Sequence, residues 1–470
     1  MRRWWVLAGA SAGLFMLMLD STATALALPS IRLELGASSS GIQWAQNIYL
    51  LALASLVVTL GRLGDQLGRR SVFVAGLLAF AGGSIVCAVA DSIALVVAGR
   101  AVQGAGGAAM LALSLAVATV AFPDEGRARA IGIWAAVSSL ALAVGPLVGG
   151  VVVEVASWRW LFWLNLPLVA IALILVAVAM PESRDEGAGR RVDLPGLVTL
   201  SAGLTLVVLA LVQGKAWGWT SPDTLVSLLA GLILLGLFVA AERRARDPIV
   251  ELGLFRSGPY LGASAAAFAL VGAYWTIMFL LPQYLDLGLD FSTARAGVLM
   301  LPVTAPMAIL SPLAARVATR IGARIVMSAG MVCATLGVLS FTRLDASSNY
   351  YDVAPGLILF GLALGLVYAP MSAAAMAALP AAKSGVASGV LGMVRCLAGA
   401  VLLASAGALF QHADFEERAS GGSFEGAFAA GIASASWLLV AVLLAGTVGT
   451  WLLVRSAPTA HEPHHRRFHL

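Results

Sequence analysis

Fourteen apolar runs, the first at 5–29 and the last at 427–454, are separated only by short polar loops, and this constrains the chain more than any other feature. Crossing the hydrocarbon core of a bilayer takes about 20 apolar residues in a helix. There every backbone N–H and C=O must be satisfied within its own element, which continuous runs of this length achieve as α-helices. The expected fold is an all-α integral membrane protein with fourteen transmembrane helices. Composition agrees: 60% of residues are hydrophobic, 11% are charged and mean hydropathy is +0.93, which excludes a soluble domain. The pI of about 9.4 does not indicate a nucleic-acid partner, because the bases are scattered through short loops. Most of the 29 Lys and Arg fall in alternate loops and in the tails, so positive-inside bias places both termini in the cytoplasm and the chain, multi-pass, in the inner (plasma) membrane. The opening MRRWW, its apolar run and the small residues Ala25 and Ala27 imitate a cleavable secretory signal, but Asp20 near the end of that run argues for retention. Cys87, Cys333 and Cys396 fall inside expected helices and show neither disulfide nor metal spacing.

The chain repeats itself. Shifting it by 254 positions lays Gly68 on Gly322 and Arg70 on Arg324, within the worn second copy LAARVATRIGARI. Asp65 then meets Thr319, and Asp20 meets Tyr274. Two homologous six-helix bundles follow, 1–180 and 255–455. The linker 181–254 carries two further helices, 194–214 and 223–241, as an inserted hairpin, and 456–470 reads as a solvated cytoplasmic tail.

The segment GRLGDQLGRR, Gly61 to Arg70, is a glycine-punctuated, charge-dense turn between two apolar runs. It resembles the signature loop of the major facilitator superfamily, matching at Gly61, Leu63, Asp65, Gly68, Arg69 and Arg70. LDSTATALALP, GRAVQGAGGAAM, AVGPLVGG and WRWLFWLNLP are similar to segments of the fourteen-span drug:proton antiporters of the EmrB/QacA type, and SGVLGMVRCLAGA resembles that family's arginine-bearing thirteenth helix. The first of these departs from the family pattern, with Ala25 where Asn is usual. The resemblance implies proton-coupled efflux of drugs or antibiotics by alternating access. Its partners would be protons, lipid and a small lipophilic substrate, cations included, and the protein would work as a monomer without a cofactor. Gly145, Pro146, Gly149 and Gly150 match the motif that exporters of the superfamily carry. On their own chemistry, Pro146 removes a backbone donor while the glycines admit a neighbouring helix, which makes a hinge, a seam or simply a well-packed helix face. Asp65 is expected to contact helix N-termini or bases such as Arg127 and Arg129, and so to gate one face.

Charge deep in a bilayer is costly, which singles out Asp20, Arg100 and Arg395. At 1.5 Å per residue, Asp20 lies about 12 Å and Arg100 about 10 Å from the outer ends of their helices. They share a depth and are expected to pair, with Gln103 one turn along. That pair either couples proton movement or is a static ion pair that specifies packing. Arg395 has no acidic residue at its depth and is left to bond carbonyls or a substrate's acceptor group. Phe15, Tyr49, Phe268, Tyr274, Trp275, Phe279, Tyr368 and Met371 are the expected apolar and aromatic lining of a substrate cavity. The alternative of the same fold is a carrier for one metabolite or peptide. An enzyme is not expected: the histidines are His412 and four in the tail, and no phosphate-binding loop of Walker type occurs.

Overall fold

The computed structural model describes residues 2–120, 122, 124–184, 193–245, 248–379 and 384–454, with the backbone alone at 2, 118–120, 124–129, 131, 132, 135, 136, 139, 384–386 and 388. Among the described residues there is no strand. Helices follow the apolar runs: α1 (Arg2–Leu35), α2 (Ser39–Leu67), α3 (Arg69–Ala88), α4 (Ile93–Val120), α5 (Asp124–Val155), α6 (Arg159–Ala179), α7 (Leu194–Trp217), α8 (Pro222–Glu242), α9 (Gly258–Gln283), α10 (Thr293–Leu299), α11 (Leu301–Ile321), α12 (Ala323–Phe341), α13 (Tyr350–Ala377), α14 (Ser384–Ala419) and α15 (Phe424–Leu453). Helices α10 and α11 together make one crossing, Thr293–Ile321. By length and composition 13 helical segments of the described residues can span a membrane, and α5, with its apolar stretch Leu140–Val155, supplies the fourteenth. Polar residues between the runs end them. Ser38, Asp193, Ser221 and Ser423 each accept a backbone N–H of the helix they open, and Asn349 with Asp352 forms a capping box on α13.

Helix packing builds two bundles. In the first, α1 lies against α4, α5 and α6, α2 against α4, and α3 against α4 and α6; in the second, α9 lies against α13, α14 and α15, and α12 against α13 and α15. The bundles meet along α2–α14, α5–α10/α11 and α1–α9. The sequence repeat is visible in the turns. Gly68 (φ 124°) and Gly322 (φ 95°) both have positive φ, the region that favours glycine. Each closes its helix by donating its N–H at 3.0 Å, Gly68 to Gly64 O and Gly322 to Ala318 O. Helix α7 of the inserted hairpin packs on both α2 and α14. Ser40 Oγ donates to Val212 O (3.3 Å) and Lys215 Nζ to Gln411 O (2.6 Å), so the hairpin is bonded to one helix of each bundle.

The turn at the signature segment is shorter than its glycines suggest. Helix α2 continues through Gly61, Gly64 and Asp65 to Leu67, and Gly68 alone makes the corner before α3 begins at Arg69. The physical reason lies in α4: a Cβ on Gly64 would collide with the Leu113 side chain, so Gly64 serves helix approach rather than loop freedom.

Candidate functional site: two buried centres and a seam

Asp20 lies deep in α1 and is 4% exposed, while Arg100, Gln103 and Tyr49 are 0% exposed. Arg100 Nη1 donates to Asp20 Oδ2 at 2.6 Å and to Gln103 Oε1 at 3.0 Å. Asn165 Nδ2, from α6, donates to Asp20 Oδ1 at 2.7 Å, and Gln103 Nε2 reaches the same oxygen at 3.4 Å. Ser84 Oγ, from α3, accepts from Gln103 Nε2 at 2.7 Å and from Asn165 Nδ2 at 3.2 Å, and donates to Phe80 O at 2.8 Å. Arg100 Nε is aimed at Ala45 O at 3.4 Å, and the guanidinium carbon stands 3.9 Å from the centroid of the Tyr49 ring. Tyr49 therefore belongs to this centre; its hydroxyl lies 2.8 Å from Ser21 Oγ. Five helices converge on one ion pair.

The energetics of that arrangement are two-edged. Burying the pair costs several kcal/mol per ion, offset by mutual attraction and by hydrogen bonds to charged groups worth roughly 1.5–3 kcal/mol each. Apart from Asp20, Arg100 is held by the Tyr49 face, Gln103 and the Ala45 carbonyl, and its Nη2 is buried without a partner. Sequence reasoning misses Asn165 and Ser84. Asn165 carries a signal, since it is the one amide in the apolar α6. Ser84 carries little, because serine is common on membrane helix faces.

The glycines of α5 form the seam beside this centre. A Cβ on Gly145 would overlap Thr22 Oγ1, two residues beyond Asp20; one on Gly149 would lie 2.5 Å from Ala23 O, and one on Gly150 2.5 Å from Thr293 O. On the opposite side Gly297 of α10 rests on the Pro146 carbonyl. Ala294 N donates to Glu154 Oε2 at 2.7 Å and Thr304 Oγ1 to Ala143 O at 3.1 Å, tying α5 to α10 and α11.

At the α2–α3 corner, Asp65 near the end of α2 pairs with Arg69, the first residue of α3, at 2.8 Å. The side chains of Arg127 and Arg129, expected near it, lie outside the described residues. Glu182, which follows α6, holds the corner instead: it accepts from Arg70 N (3.0 Å), Ser71 N (3.2 Å) and the Ser71 hydroxyl, while Arg69 N donates to Ser183 O (2.9 Å). Partial burial pushes the Glu182 carboxyl up. The Ser71 hydroxyl and the N–H groups of Arg70, Ser183 and Ser71 outweigh that and hold it below the usual carboxylate range. In sequence Glu182 reads as linker, and only the fold places it on the positive end of α3.

The second centre lies between α9, α13 and α14. Arg395 Nη2 donates to Ser372 Oγ at 2.6 Å, and its guanidinium carbon is 4.5 Å from the Tyr368 ring centroid. Arg395 Nε is buried without a hydrogen bond, and among the described residues Arg395 has no ion pair. Tyr274 meets Trp275 edge-on at 5.4 Å, and its buried hydroxyl also has no partner. Phe15 and Phe268 are half-buried, while Phe279 and Met371 are buried. Two apolar clefts lie at neither centre: about 680 Å³ along α5 and α6, and about 490 Å³ along α10 and α11. Among the described residues no cluster of His, Cys, Asp or Glu is arranged to hold a metal.

Residues 10–403 match the family model described as the Major Facilitator Superfamily. The chain is 36% identical over 398 residues to the multidrug resistance protein Stp of Mycobacterium tuberculosis, covering 84% of this chain and 74% of that protein. It is 33% identical over 393 residues to the tetracenomycin C resistance and export protein of Streptomyces glaucescens, covering 83% and 72%. Among solved structures, a peptide transporter POT in complex with sulfate superposes with a TM-score of 0.67 at 17% identity, covering 94% of each chain.

Proposed function

This chain belongs to the Major Facilitator Superfamily, and we propose that it is a proton-coupled exporter of small lipophilic drugs or antibiotics working by alternating access. Proteins named for multidrug resistance and for tetracenomycin C resistance and export are among its relatives, which supports efflux. The observation that carries the coupling is the buried Asp20–Arg100 pair with its complete set of carboxylate partners. Asp20 is the proton carrier in this reading, Arg100 its counter-charge, and Gln103, Asn165 and Ser84 position the two. Protonation removes an ion pair that ties α1 to α4, and deprotonation restores it. Any helix movement that changes the spacing of that pair changes proton affinity, which is the differential interaction that coupling requires.

In the same reading the segments 1–180 and 255–455 rock against one another, with both termini in the cytoplasm of a monomer. The α5 glycines against α1 and α10 keep one face shut, and the Asp65–Arg69 turn, clamped by Glu182, braces the other. Gly61, Gly68 and Arg70 shape that corner. The test is transport into proteoliposomes of a panel of lipophilic compounds under an imposed pH gradient. Uphill movement that collapses with the gradient is expected, and gradient-independent movement of every compound would overturn the reading.

A further inference from the structure

We propose that the Arg395 centre binds the acidic group of a planar aromatic substrate, a carboxylate or phenolate, so that the substrates carried are aromatic anions rather than cations; this rests on the export reading above and names its substrate class. The first support is the distribution of charge. Asp20 is already neutralised by Arg100, whereas Arg395 lacks a carboxylate partner among the described residues. A cationic ligand entering between these centres would meet the uncompensated positive charge of Arg395, which an anion would offset.

The second support is geometry. Arg395 spends one donor on Ser372 at 2.6 Å and keeps Nε, buried and unbonded, for another acceptor. The planar guanidinium fork suits a carboxylate. Tyr274 offers an unbonded hydroxyl next to Trp275, whose ring packs against Gly399, one turn along α14 from Arg395. Unpaired buried donors are costly, and a ligand acceptor relieves both. The third support is shape: the Tyr368 ring already lies against the guanidinium at 4.5 Å and the Tyr274–Trp275 pair forms an edge-on corner at 5.4 Å, flat walls on which an aromatic plate can stack. Arg395 is half-buried as a residue, with its Nε buried.

The experiment is equilibrium binding, without any gradient, of anthraquinone-2-carboxylate, its neutral carboxamide and the cationic 2-aminomethyl analogue to the full chain in nanodiscs. The carboxylate is expected to bind best and the amine worst. Arg395→Gln is expected to weaken the carboxylate by roughly 10- to 100-fold while moving the carboxamide by no more than about twofold. Arg395→Lys keeps the charge without the fork and is expected to keep part of the preference for the anion. Equal or tighter binding of the amine by the native chain would overturn the proposal. So would an equal loss of all three ligands in both Arg395 variants, since that marks a structural role. Proton-driven export is scored separately: anion preference without gradient-driven transport leaves this site standing and removes the coupling, and the converse removes only the site.

Discussion

The two buried centres are built on opposite plans. At Asp20 each charge has a counter-charge and each carboxylate oxygen has donors from other helices. At Arg395 the charge has one neutral partner, an aromatic face and, among the described residues, no carboxylate; each centre keeps an unbonded guanidinium nitrogen, Arg100 Nη2 and Arg395 Nε. The shift that lays Gly68 on Gly322 also lays Asp20 on Tyr274, so the repeat kept its turns and lost the symmetry of its charges. Under the proposed function, the charge-compensated centre suits the driving proton and the uncompensated one the cargo.

Truncating the two arginines tests this contrast with the largest expected effect. Arg100→Ala strands a buried carboxylate and is expected to destabilise the protein by about 3–5 kcal/mol. Arg395→Ala leaves behind only a serine hydroxyl and is expected to cost less than about 1.5 kcal/mol. Thermal unfolding of both variants in the same detergent reads the difference, and equal losses would break the comparison.

The glycines beside the centres give the next effect. A Cβ at Gly149 meets the Ala23 backbone at 2.5 Å, whereas one at Gly399 meets the Trp275 side chain at 2.6 Å. Backbone cannot yield and an indole can turn, so Gly149→Ala is expected to cost about 1–3 kcal/mol and most transport, and Gly399→Ala less. Cysteine labelling at the outer end of α5 together with transport assays would decide it; a milder Gly149→Ala than Gly399→Ala would count against a rigid seam.

The corners of the repeat give the smallest effect. Glu182, just past the end of α6, clamps the Gly68 corner through the N–H groups of Arg70 and Ser71. Because the Glu182 carboxyl is held below its usual range, its stabilisation is present above the unfolded-state pKa and is lost as pH falls through the folded-state value. Glu182→Gln is expected to cost no more than about 1 kcal/mol at neutral pH and nothing in acid. An acid-insensitive loss would show that its shape, not its charge, holds the corner.

Much of the fold is legible in the sequence because bilayer physics leaves few choices: length and apolarity fix the spans, and the polar residues between them become caps. Asp20, Arg100 and Gln103 stand out for the same reason, as costly groups in apolar helices. Asn165 is half legible, a lone amide whose partner cannot be named without the packing of α6 on α1 and α3. Ser84 and Glu182 are not legible, since a serine in a membrane helix and an acid in a linker are both commonplace until the fold brings them to a carboxylate or a helix end. The signature glycines misled in one respect, since spacing alone does not tell a loop glycine from one that lets Leu113 approach. Tyr49 reads as cavity lining and sits beneath Arg100, because aromatic character does not reveal which side of a helix is wet.

The most direct test of the account is export by Asp20→Asn. The substitution preserves size, keeps one of the two acceptor oxygens that now face Arg100 and Asn165, replaces the other with an amide NH2, and removes the titratable charge. Purified protein is reconstituted into proteoliposomes, a pH gradient is imposed, and substrate accumulation and lumenal pH are recorded together, with ligand binding as the control for folding. Binding is expected to persist while gradient-driven accumulation and substrate-linked proton movement both disappear. Undiminished uphill export by Asp20→Asn would contradict it and move the proton site elsewhere, with Glu34, Asp286 and Asp290 as the next carboxylates to examine.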